Sequence, residues 1–327
     1  MRNQKHILLT GAAGCIGSHL ADVLLAEGHI VYGIDNLSYG KISNLKSSIN
    51  NKNFNFTKIN VEDLFINNFP KLDFIFHLAS YKKTFKGVGL DASSVMLNNS
   101  KMLHKVLSLS EQSNAFLIFS STSDVYGSSA TFKEKDSITI GPPTNSRYSY
   151  ALSKLYEEQC ILNYIDEGKI NGCVFRIFGC SSPRASKSWS GGHVPLFINN
   201  ALNNIDIDIH GDGLQTRSIC HAGDIALGLS LSVLNKKSCN GEIINLGTDE
   251  QTTVKEVAEY IINKTKSTSK INYIPREEVF GDYKEIMIRF ANTEKAKEIL
   301  NFKISKSTFS VIDDIISTDE DSSHNTC

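Results

Sequence analysis

The stretch HILLTGAAGCIGSHL, residues 6–20, decides the fold, because a short apolar run leads directly into three spaced glycines and a helical pattern. Gly11 permits a tight turn, Gly14 lets the backbone approach a pyrophosphate, and Gly17 lets the helix pack closely on the strand. The start of the helix then offers unpaired N–H groups to an anion. The stretch therefore predicts a strand–turn–helix unit that binds the diphosphate of a dinucleotide.

A carboxylate stands at the end of the next apolar run, IVYGID (30–35). Asp35 lies 18 residues after Gly17, where an acidic side chain accepts hydrogen bonds from ribose hydroxyls and repels a 2′-phosphate. The spacing favours NAD over NADP as the cofactor. The alternative is an ordinary glycine-rich turn followed by a surface aspartate.

Apolar runs and helical patterns alternate through the first half of the chain. Further strands are predicted over residues 54–60, 74–79, 115–121 and 172–178, and a helix over 149–167. This alternation predicts an α/β fold, a Rossmann-type doubly wound parallel sheet with helices on both faces.

The pattern loosens after residue 180, where short strands such as 205–210 and 242–247 mix with helices. One helix is expected to begin at Thr253, which forms a capping-box signature with Glu256. We interpret residues 1–180 as the NAD-binding domain and 181–316 as a smaller C-terminal α/β lobe, interleaved with the first, that binds substrate. The polar end, residues 317–327, is expected to be disordered.

Bulk composition excludes several classes of function. With 34 basic and 35 acidic residues the formal charge is -1, so neither nucleic acid nor a membrane surface is an expected partner. The first residues lack the apolar core of a secretory signal, and no apolar run is long enough to span a bilayer. The seven cysteines are scattered without metal-ligand spacing. We therefore expect a cytoplasmic protein with free thiols and no metal.

A tyrosine and a lysine share one face of the predicted helix over 149–167. Tyr150 and Lys154 lie four residues apart. A phenol with a pKa of about 10 is a poor base at neutral pH, but a neighbouring ammonium, together with the nicotinamide cation, stabilises the phenolate and lowers that pKa. Taken alone, the pattern also fits a solvated helix face.

Polar side chains also follow the predicted strand over 115–121, in SSTSDVYG (120–127). Open α/β sheets bind ligands at the carboxyl ends of their strands, so Thr122, Ser123 and Asp124 are candidate site residues. The plainer alternative is a serine-rich turn in which Asp124 caps a helix.

Several motifs in order give the sequence a family resemblance. They are TGAAGCIG (10–17), DNLS (35–38), HLAS (77–80), SSTSDVYG, YALSK (150–154), RIF…PR (176–184), GLQTRSICHAGDIA (213–226) and RFANTEKA (289–296). Over roughly residues 5 to 305 the chain resembles the extended short-chain dehydrogenase/reductases, within the NAD-dependent epimerase/dehydratase group. It looks most like sugar-nucleotide 4-epimerases, dehydratases and UDP-glucuronate decarboxylases.

The resemblance implies a role for each matching residue. Tyr150 would be the base, Lys154 its electrostatic partner, and Thr122 would share the 4-hydroxyl of the sugar. Ser123 and Asp124 would serve as acid or base at C5 and C6. The implied substrate-binding residues are Thr122, Arg184, Arg217 and Arg289, although each arginine could instead form a surface ion pair. The implied cofactor-binding residues are Gly11, Gly14, Cys15, Ile16, Gly17, Asp35, Asn36, Asn60, Val61, Leu78, Ala79, Ser80, Asn99, Ser120, Tyr150 and Lys154.

The implied activity is oxidation of a nucleotide-diphosphate sugar, a UDP-sugar first among them, to a transient 4-keto sugar by bound NAD. Ser123 matches the decarboxylase pattern, whereas Asp124 is one methylene shorter than the glutamate that decarboxylases and dehydratases carry there. Gly179 replaces an asparagine of many relatives, and Ser218–Ile219 replaces the usual Asp–Phe. Epimerisation, dehydration and decarboxylation stay open as outcomes. A non-catalytic NAD sensor and a net reductase are the rival functions. The resemblance also implies a homodimer.

Overall fold

The computed structural model describes residues 4–82, 91–129, 131–188, 191–280 and 285–324. Its main sheet has seven strands in the order β11-β6-β5-β4-β1-β2-β3. All neighbouring strands in it are parallel. The strands are β1 (His6–Thr10), β2 (Ile30–Asp35), β3 (Phe54–Lys58), β4 (Phe74–His77), β5 (Phe116–Thr122), β6 (Gly172–Ile177) and β11 (Ile243–Leu246). The predicted Rossmann-type α/β fold is confirmed.

Helices cover both faces of this sheet, and strand β1 shows why. Ile7 and Leu9 pack into one apolar core with the first helix, whereas Leu8 between them packs into the other. Side chains of a strand alternate between faces, so an uninterrupted apolar run is buried on both sides. The helices of this layer are α1 (Cys15–Ala26), α2 (Ala92–Ser113), α3 (Ser149–Asp166) and, later in the chain, α5 (Ala222–Leu234). Helices α1 and α5 pack together on one face, and α2 and α3 on the other.

Two later segments return to the main sheet. Strand β11 pairs with β6, and helix α5 packs on α1. Segments on both sides of residue 180 therefore contribute to the sheet layer, so this boundary does not divide the chain into one sheet segment and one lobe segment. The boundary itself stays an interpretation.

The second lobe has its own small apolar core. Strands β8 (Ile207–His210) and β13 (Ile271–Ile274) pair in parallel. Around them pack α4 (His193–Leu202), α7 (Val254–Thr265) and α10 (Thr308–His324). The capping box at Thr253 and Glu256 is confirmed, with both reciprocal hydrogen bonds present at the start of α7.

Short strands join this lobe to the edge of the main sheet. They are β7 (Cys180–Ser181), β9 (Thr216–Arg217), β10 (Cys220–His221), β12 (Thr252–Thr253) and β14 (Ile288–Arg289). Strand β9 pairs with both β12 and β14, and β10 pairs with β7. The remaining helices are α6 (Lys236–Cys239), α8 (Arg276–Phe280) and α9 (Glu294–Leu300). This arrangement carries Arg217 and Arg289 side by side toward the end of β5.

The prediction of a disordered end is wrong for residues 317–324. Helix α10 runs on to His324. Val311, Ile312, Ile315 and Ile316 are buried against the second lobe and anchor the helix. A helix that is already nucleated by packing propagates at little further cost into polar residues. Residues 325–327 lie outside the described part of the chain.

None of the helices in the described ranges is both long and apolar enough to cross a bilayer.

Candidate active site

The glycine turn after β1 requires all three of its glycines for different reasons. Gly11 has a φ of +72°, which side chains rarely tolerate. A Cβ at Gly17 would lie 2.0 Å from the Gly11 carbonyl oxygen, so only glycine fits there. Gly14 is the N-cap of α1 and supplies no side chain to the first N–H groups. Those groups therefore remain available to an anion.

The carboxylate of Asp35 fastens this turn to strand β2. It accepts backbone N–H groups from Ala13 at 3.0 Å and from Leu37 at 2.8 Å. Burial raises the pKa of the Asp35 carboxyl, while these two hydrogen bonds act in the opposite direction. The acid predicted to hold a ribose thus sits directly beside the predicted phosphate cradle.

One cavity brings together half of the predicted cofactor residues. Its lining includes Gly11, Gly14, Asp35, Asn36, Val61, Leu78, Ala79 and Ser80. It also includes Ile59, Tyr81 and Met102, which were not predicted. The cavity offers three features that match parts of NAD: an anion cradle for the diphosphate, a carboxylate for the ribose and an apolar end for the adenine. It is also narrow at Gly11, where an added Cβ would lie 2.8 Å from the Ala79 nitrogen. The residues present therefore fit this cofactor.

Other predicted cofactor residues lie around this cavity. The Cys15 thiol is 3.2 Å from the Ser182 hydroxyl, and Ile16 packs against the main core. Asn60 accepts a hydrogen bond from Asn36 at 3.1 Å. Ser120 is half-buried on strand β5.

Asn99 joins helices α2 and α3 to the segment after β4. Its side chain accepts the backbone N–H of Tyr81 at 2.8 Å and donates to the Tyr81 carbonyl at 2.9 Å. It also donates to Ser153 at 3.1 Å, one residue before Lys154. A single buried amide therefore connects the cofactor cavity with the helix that carries the Tyr–Lys pair.

Lys154 is almost completely buried, with 1% of its surface exposed. Its ammonium lies 4.4 Å from the centroid of the Phe119 ring and 3.1 Å from the carboxylate of Glu157. The sequence interpretation missed Glu157, although its position three residues after the lysine places it on the same helix face.

Tyr150 is in contact with the cofactor cavity through the hydroxyl of Ser80, which hydrogen-bonds its side chain. The pKa of Tyr150 is raised above its usual value, first by burial and then by the negative charges of Asp124 and Glu157. The expectation that Lys154 and the nicotinamide cation together lower this pKa is not tested by the protein groups alone and stays a prediction. The Lys154 ammonium is itself paired with the carboxylate of Glu157.

A second pocket, of about 200 Å³, opens at the carboxyl end of β5. Its lining residues are Thr122, Ser123, Asp124, Ile177, Phe178, Gly179, Arg217, Ser218 and Arg289. We call it the sugar pocket. All three candidate residues of the SSTSDVYG stretch lie in it, together with two of the three predicted arginines.

The turn after β5 assigns separate tasks to Thr122 and Asp124. The Thr122 hydroxyl accepts the Asp124 N–H at 3.2 Å and caps the short 3₁₀ turn over Ser123–Tyr126. The alternative in which Asp124 caps a helix is therefore wrong. The Asp124 carboxylate instead pairs with the guanidinium of Arg289 across the pocket.

The two other predicted arginines have different surroundings. Arg217 lines the sugar pocket and is held by Glu285 at 2.7 Å and by the Ile286 carbonyl at 2.9 Å. Arg184 does not line it, and its guanidinium pairs with Asp22 of helix α1 at 2.7 Å. All three predicted arginines therefore form ion pairs, and Arg184 differs from the other two in that it does not line the sugar pocket.

The two departures from the family pattern meet in space. A Cβ at Gly179 would lie 2.3 Å from the Ser218 carbonyl oxygen. The Cys220 N–H also donates to the Gly179 carbonyl at 2.9 Å. The backbone of residues 218–220 therefore occupies the space that an asparagine at 179 would need. Gly179 and the segment after Arg217 therefore lie against each other in the wall of the sugar pocket.

Three features define a Rossmann-type dehydrogenase fold of the extended short-chain class. They are the parallel seven-stranded sheet, the glycine cradle with its carboxylate, and the adjacent helix that carries Tyr150 and Lys154. The chain belongs to the NAD dependent epimerase/dehydratase family, whose model matches residues 7–247.

Similar proteins fall in the same group. The chain is 33% identical over 313 residues to the UDP-N-acetyl-alpha-D-glucosaminuronate decarboxylase of Bacillus cytotoxicus, covering 91% of this chain and 92% of that one. Its structure matches that of Pal from Bacillus thuringiensis with a TM-score of 0.86 and 27% identity, over 97% and 99% of the two chains. It also matches UDP-glucuronic acid 4-epimerase from Bacillus cereus, in complex with UDP-glucuronic acid and NAD. That match has a TM-score of 0.83 and 26% identity, over 96% and 99% of the chains.

Proposed function

We propose that this protein is an NAD-dependent enzyme that oxidises a UDP-linked sugar at C4 and acts through the resulting 4-keto sugar. One observation carries the proposal. Tyr150 touches Ser80 of the cofactor cavity and also lies within the field of Asp124 in the sugar pocket. A base at the junction of two cavities can take a proton from one ligand while the other receives a hydride.

The chain's own residues would divide the work of the first step. The Tyr150 phenolate would accept the proton of the 4-hydroxyl, and Thr122 would hold that oxygen from the opposite side. Lys154 would stabilise the phenolate. NAD held by the glycine turn and Asp35 would supply the hydride acceptor for C4 and the hydride donor for the return step, so no external reductant would be consumed. The neighbouring C–H and C–C bonds are activated while C4 is a ketone.

Decarboxylation is the second candidate outcome, and the paired charges in the sugar pocket favour it. Arg217 and Arg289 both line this pocket and each already holds a carboxylate, that of Glu285 or Asp124. Since arginine binds carboxylates with a fixed pair of donors, a uronate carboxylate would bind by displacing one of these partners. In a 4-keto uronate the C5–C6 bond breaks and CO₂ leaves. The electron pair of the broken bond stays with the sugar and forms the C4–C5 enolate. A proton then returns to C5. The Bacillus cytotoxicus relative is named for such a reaction.

A single experiment tests these outcomes. The purified protein is incubated in deuterated water with UDP-glucose, UDP-N-acetylglucosamine and the two corresponding uronates. CO₂ release with deuterium at C5 supports decarboxylation, and a C4 epimer without deuterium supports simple inversion. A product that has lost water supports dehydration. Retained NAD with no product from any sugar would overturn the enzymatic function and favour a sensor.

Assembly as a homodimer is part of the proposal and is supported by helices α2 and α3. They pack side by side and expose apolar side chains, with Leu97 56% and Tyr156 45% exposed. Two copies joined there would form a four-helix contact. Analytical ultracentrifugation tests it, because Leu97→Glu should convert the dimer into a folded monomer. A wild-type monomer at micromolar concentration would contradict it.

We also propose the cytoplasm as the compartment. The described cysteines are all free thiols, as expected for a reducing environment.

A further inference from the structure

Two consecutive glutamates on helix α3 are buried to 1% exposure, and their surroundings differ. Glu158 is fully paired, because Arg176 donates to it at 2.7 Å and Ser121 also hydrogen-bonds it. Glu157 has its carboxylate 3.1 Å from the ammonium of Lys154. Beyond that contact, no residue in the described ranges donates a hydrogen bond to either of its oxygens.

A carboxylate is costly to bury unless it is paired, so this contact dominates the energetics of Glu157. The same is true of Lys154, whose other close neighbour is the apolar ring of Phe119. Each charge is therefore held in place by the other. A glutamate at this position restrains the lysine and reduces the positive potential that the lysine exerts on nearby groups.

The other ionisable groups around Lys154 and Glu157 are neutral or paired, so they add little net charge next to this pair. Arg176 and Glu158 form a neutral pair behind it, on strand β6 and helix α3. His77, from strand β4, is uncharged near neutral pH because burial lowers its pKa to about 3. The Cys180 thiol on β7 is also neutral, since burial raises its pKa.

Two groups complete the surroundings of Tyr150. Asp124, from the turn after β5, faces it and is paired with Arg289. Tyr156 on the outer side of α3 is exposed and lies within the field of Glu157. Glu157 lies on the same helix as Tyr150, and its negative charge raises the pKa of Tyr150. A positive charge on Lys154 acts in the opposite direction.

We propose that Glu157 is a positioning residue that holds the Lys154 ammonium and limits how strongly it stabilises the Tyr150 phenolate. This inference rests on the proposed function of Tyr150 as base. It makes the acidic limb of the pH–rate profile depend on a residue that is not among the lining residues of the cofactor cavity or of the sugar pocket.

The test is the pH dependence of kcat in Glu157→Gln, which keeps the shape and removes the charge. Loss of a negative charge lowers the pKa of Tyr150, so the acidic limb should move to lower pH by about half a unit to one unit. Below the limb, kcat should therefore rise about three- to ten-fold. The amount of NAD retained per chain should stay the same.

Two controls separate this effect from a general change of charge. Glu167→Gln removes a carboxylate at the exposed C-terminal end of the same helix and should leave the profile where it is. Glu157→Asp retains the charge but shortens the arm, so it should shift the limb in the same direction by a smaller amount. This second variant also serves if Glu157→Gln does not fold.

A readout independent of turnover uses the absorbance of tyrosinate at 295 nm. Titration curves are taken for wild type and Glu157→Gln, each minus the curve of its Tyr150→Phe counterpart. The difference should show a lower pKa in the glutamine variant. In a Lys154→Met background the same substitution should shift this pKa less, because only the direct effect of the Glu157 charge on Tyr150 remains.

An unshifted limb, or one moved to higher pH, in both Glu157 variants would overturn the inference while leaving the proposed function intact. If Tyr150→Phe retains full activity, the proposed function itself fails. The two failures are therefore distinguishable.

Discussion

The cofactor cavity and the sugar pocket are built in different ways. The cofactor cavity takes its cradle and carboxylate from consecutive elements, β1, α1 and β2, within the first 35 residues. The sugar pocket is assembled from four distant segments, near residues 122, 178, 217 and 289. Its backbone also departs from the family pattern at Gly179 and Ser218. The difference shows that the cofactor cavity is built from residues close together in sequence, whereas the sugar pocket depends on how distant segments pack against each other.

The largest expected effect separates the two regions by chemistry. Tyr150→Phe removes the proposed base and leaves the glycine cradle untouched. The kcat on the natural nucleotide sugar should fall by about 10³-fold, in line with loss of a general base. Retained NAD, measured after acid release, should remain near the wild-type amount. Loss of both together would mean that the two regions are not separable.

Gly17→Ala breaks the cofactor cavity from within the fold. Its Cβ would lie 2.0 Å from the Gly11 carbonyl oxygen, so helix α1 has to move away from the turn. The free energy of unfolding in urea should fall by about 3 kcal/mol, as for overpacked sites, and NAD should be lost.

The matched control is Gly14→Ala, whose Cβ meets the same oxygen at 3.2 Å. It should keep most of the stability and lose only NAD, because the backbone at 14 is where the diphosphate is expected to approach. Equal stability of the two variants would refute the packing argument.

Acid sensitivity gives a test of the strand that supports the cofactor cavity. His77 at the end of β4 is fully buried, hydrogen-bonds Thr10 at 2.8 Å and has its pKa lowered from 6.5 to about 3. The unfolded chain then binds the proton more readily, so stability is lost as the pH falls below 6.5. The contribution should reach about 2 kcal/mol between pH 6.5 and 5.

Urea unfolding of wild type and His77→Asn at both pH values measures this contribution. The asparagine can keep a hydrogen bond to Thr10, and the variant should lose about 2 kcal/mol less on acidification. The same pH dependence in both proteins would show that His77 is not responsible.

The smallest expected effect concerns the sugar pocket. Gly179→Ala places a Cβ 2.3 Å from the Ser218 carbonyl oxygen, so the wall of the pocket must shift. We expect the KM for the nucleotide sugar to rise about ten-fold, equivalent to about 1.4 kcal/mol. NAD retention serves as the internal control and should not change. An unchanged KM would show that the contact between residues 179 and 218 does not shape the substrate site.

The sequence predicted the main sheet well, because its signals are local. Six strands of the first half begin and end within two residues of the predicted bounds. The positions of Gly11, Gly17 and Asp35 followed from spacing alone. Tyr150 and Lys154 were identified as a pair because four residues along a helix bring side chains together.

Other structural features could not be predicted from local sequence patterns. The sequence assigns Arg184 and Arg289 the same role in substrate binding. In the structure Arg184 pairs with Asp22 on helix α1, whereas Arg289 pairs with Asp124 in the sugar pocket. The polar end of the chain looked disordered, yet packing of the preceding apolar residues extends helix α10 to His324. Such outcomes depend on which distant surfaces meet.

By itself, the sequence determined that this protein is a parallel α/β chain with a dinucleotide cradle and a Tyr–Lys pair, since strand alternation, turn glycines and helix spacing act over a few residues. The tertiary structure alone decided that Lys154 and Glu157 are buried together, that the Ser218 backbone fills the space beside Gly179, and that Asp124 faces Arg289. The physical reason is that charge balance and steric room depend on burial and on contacts between residues far apart in the chain.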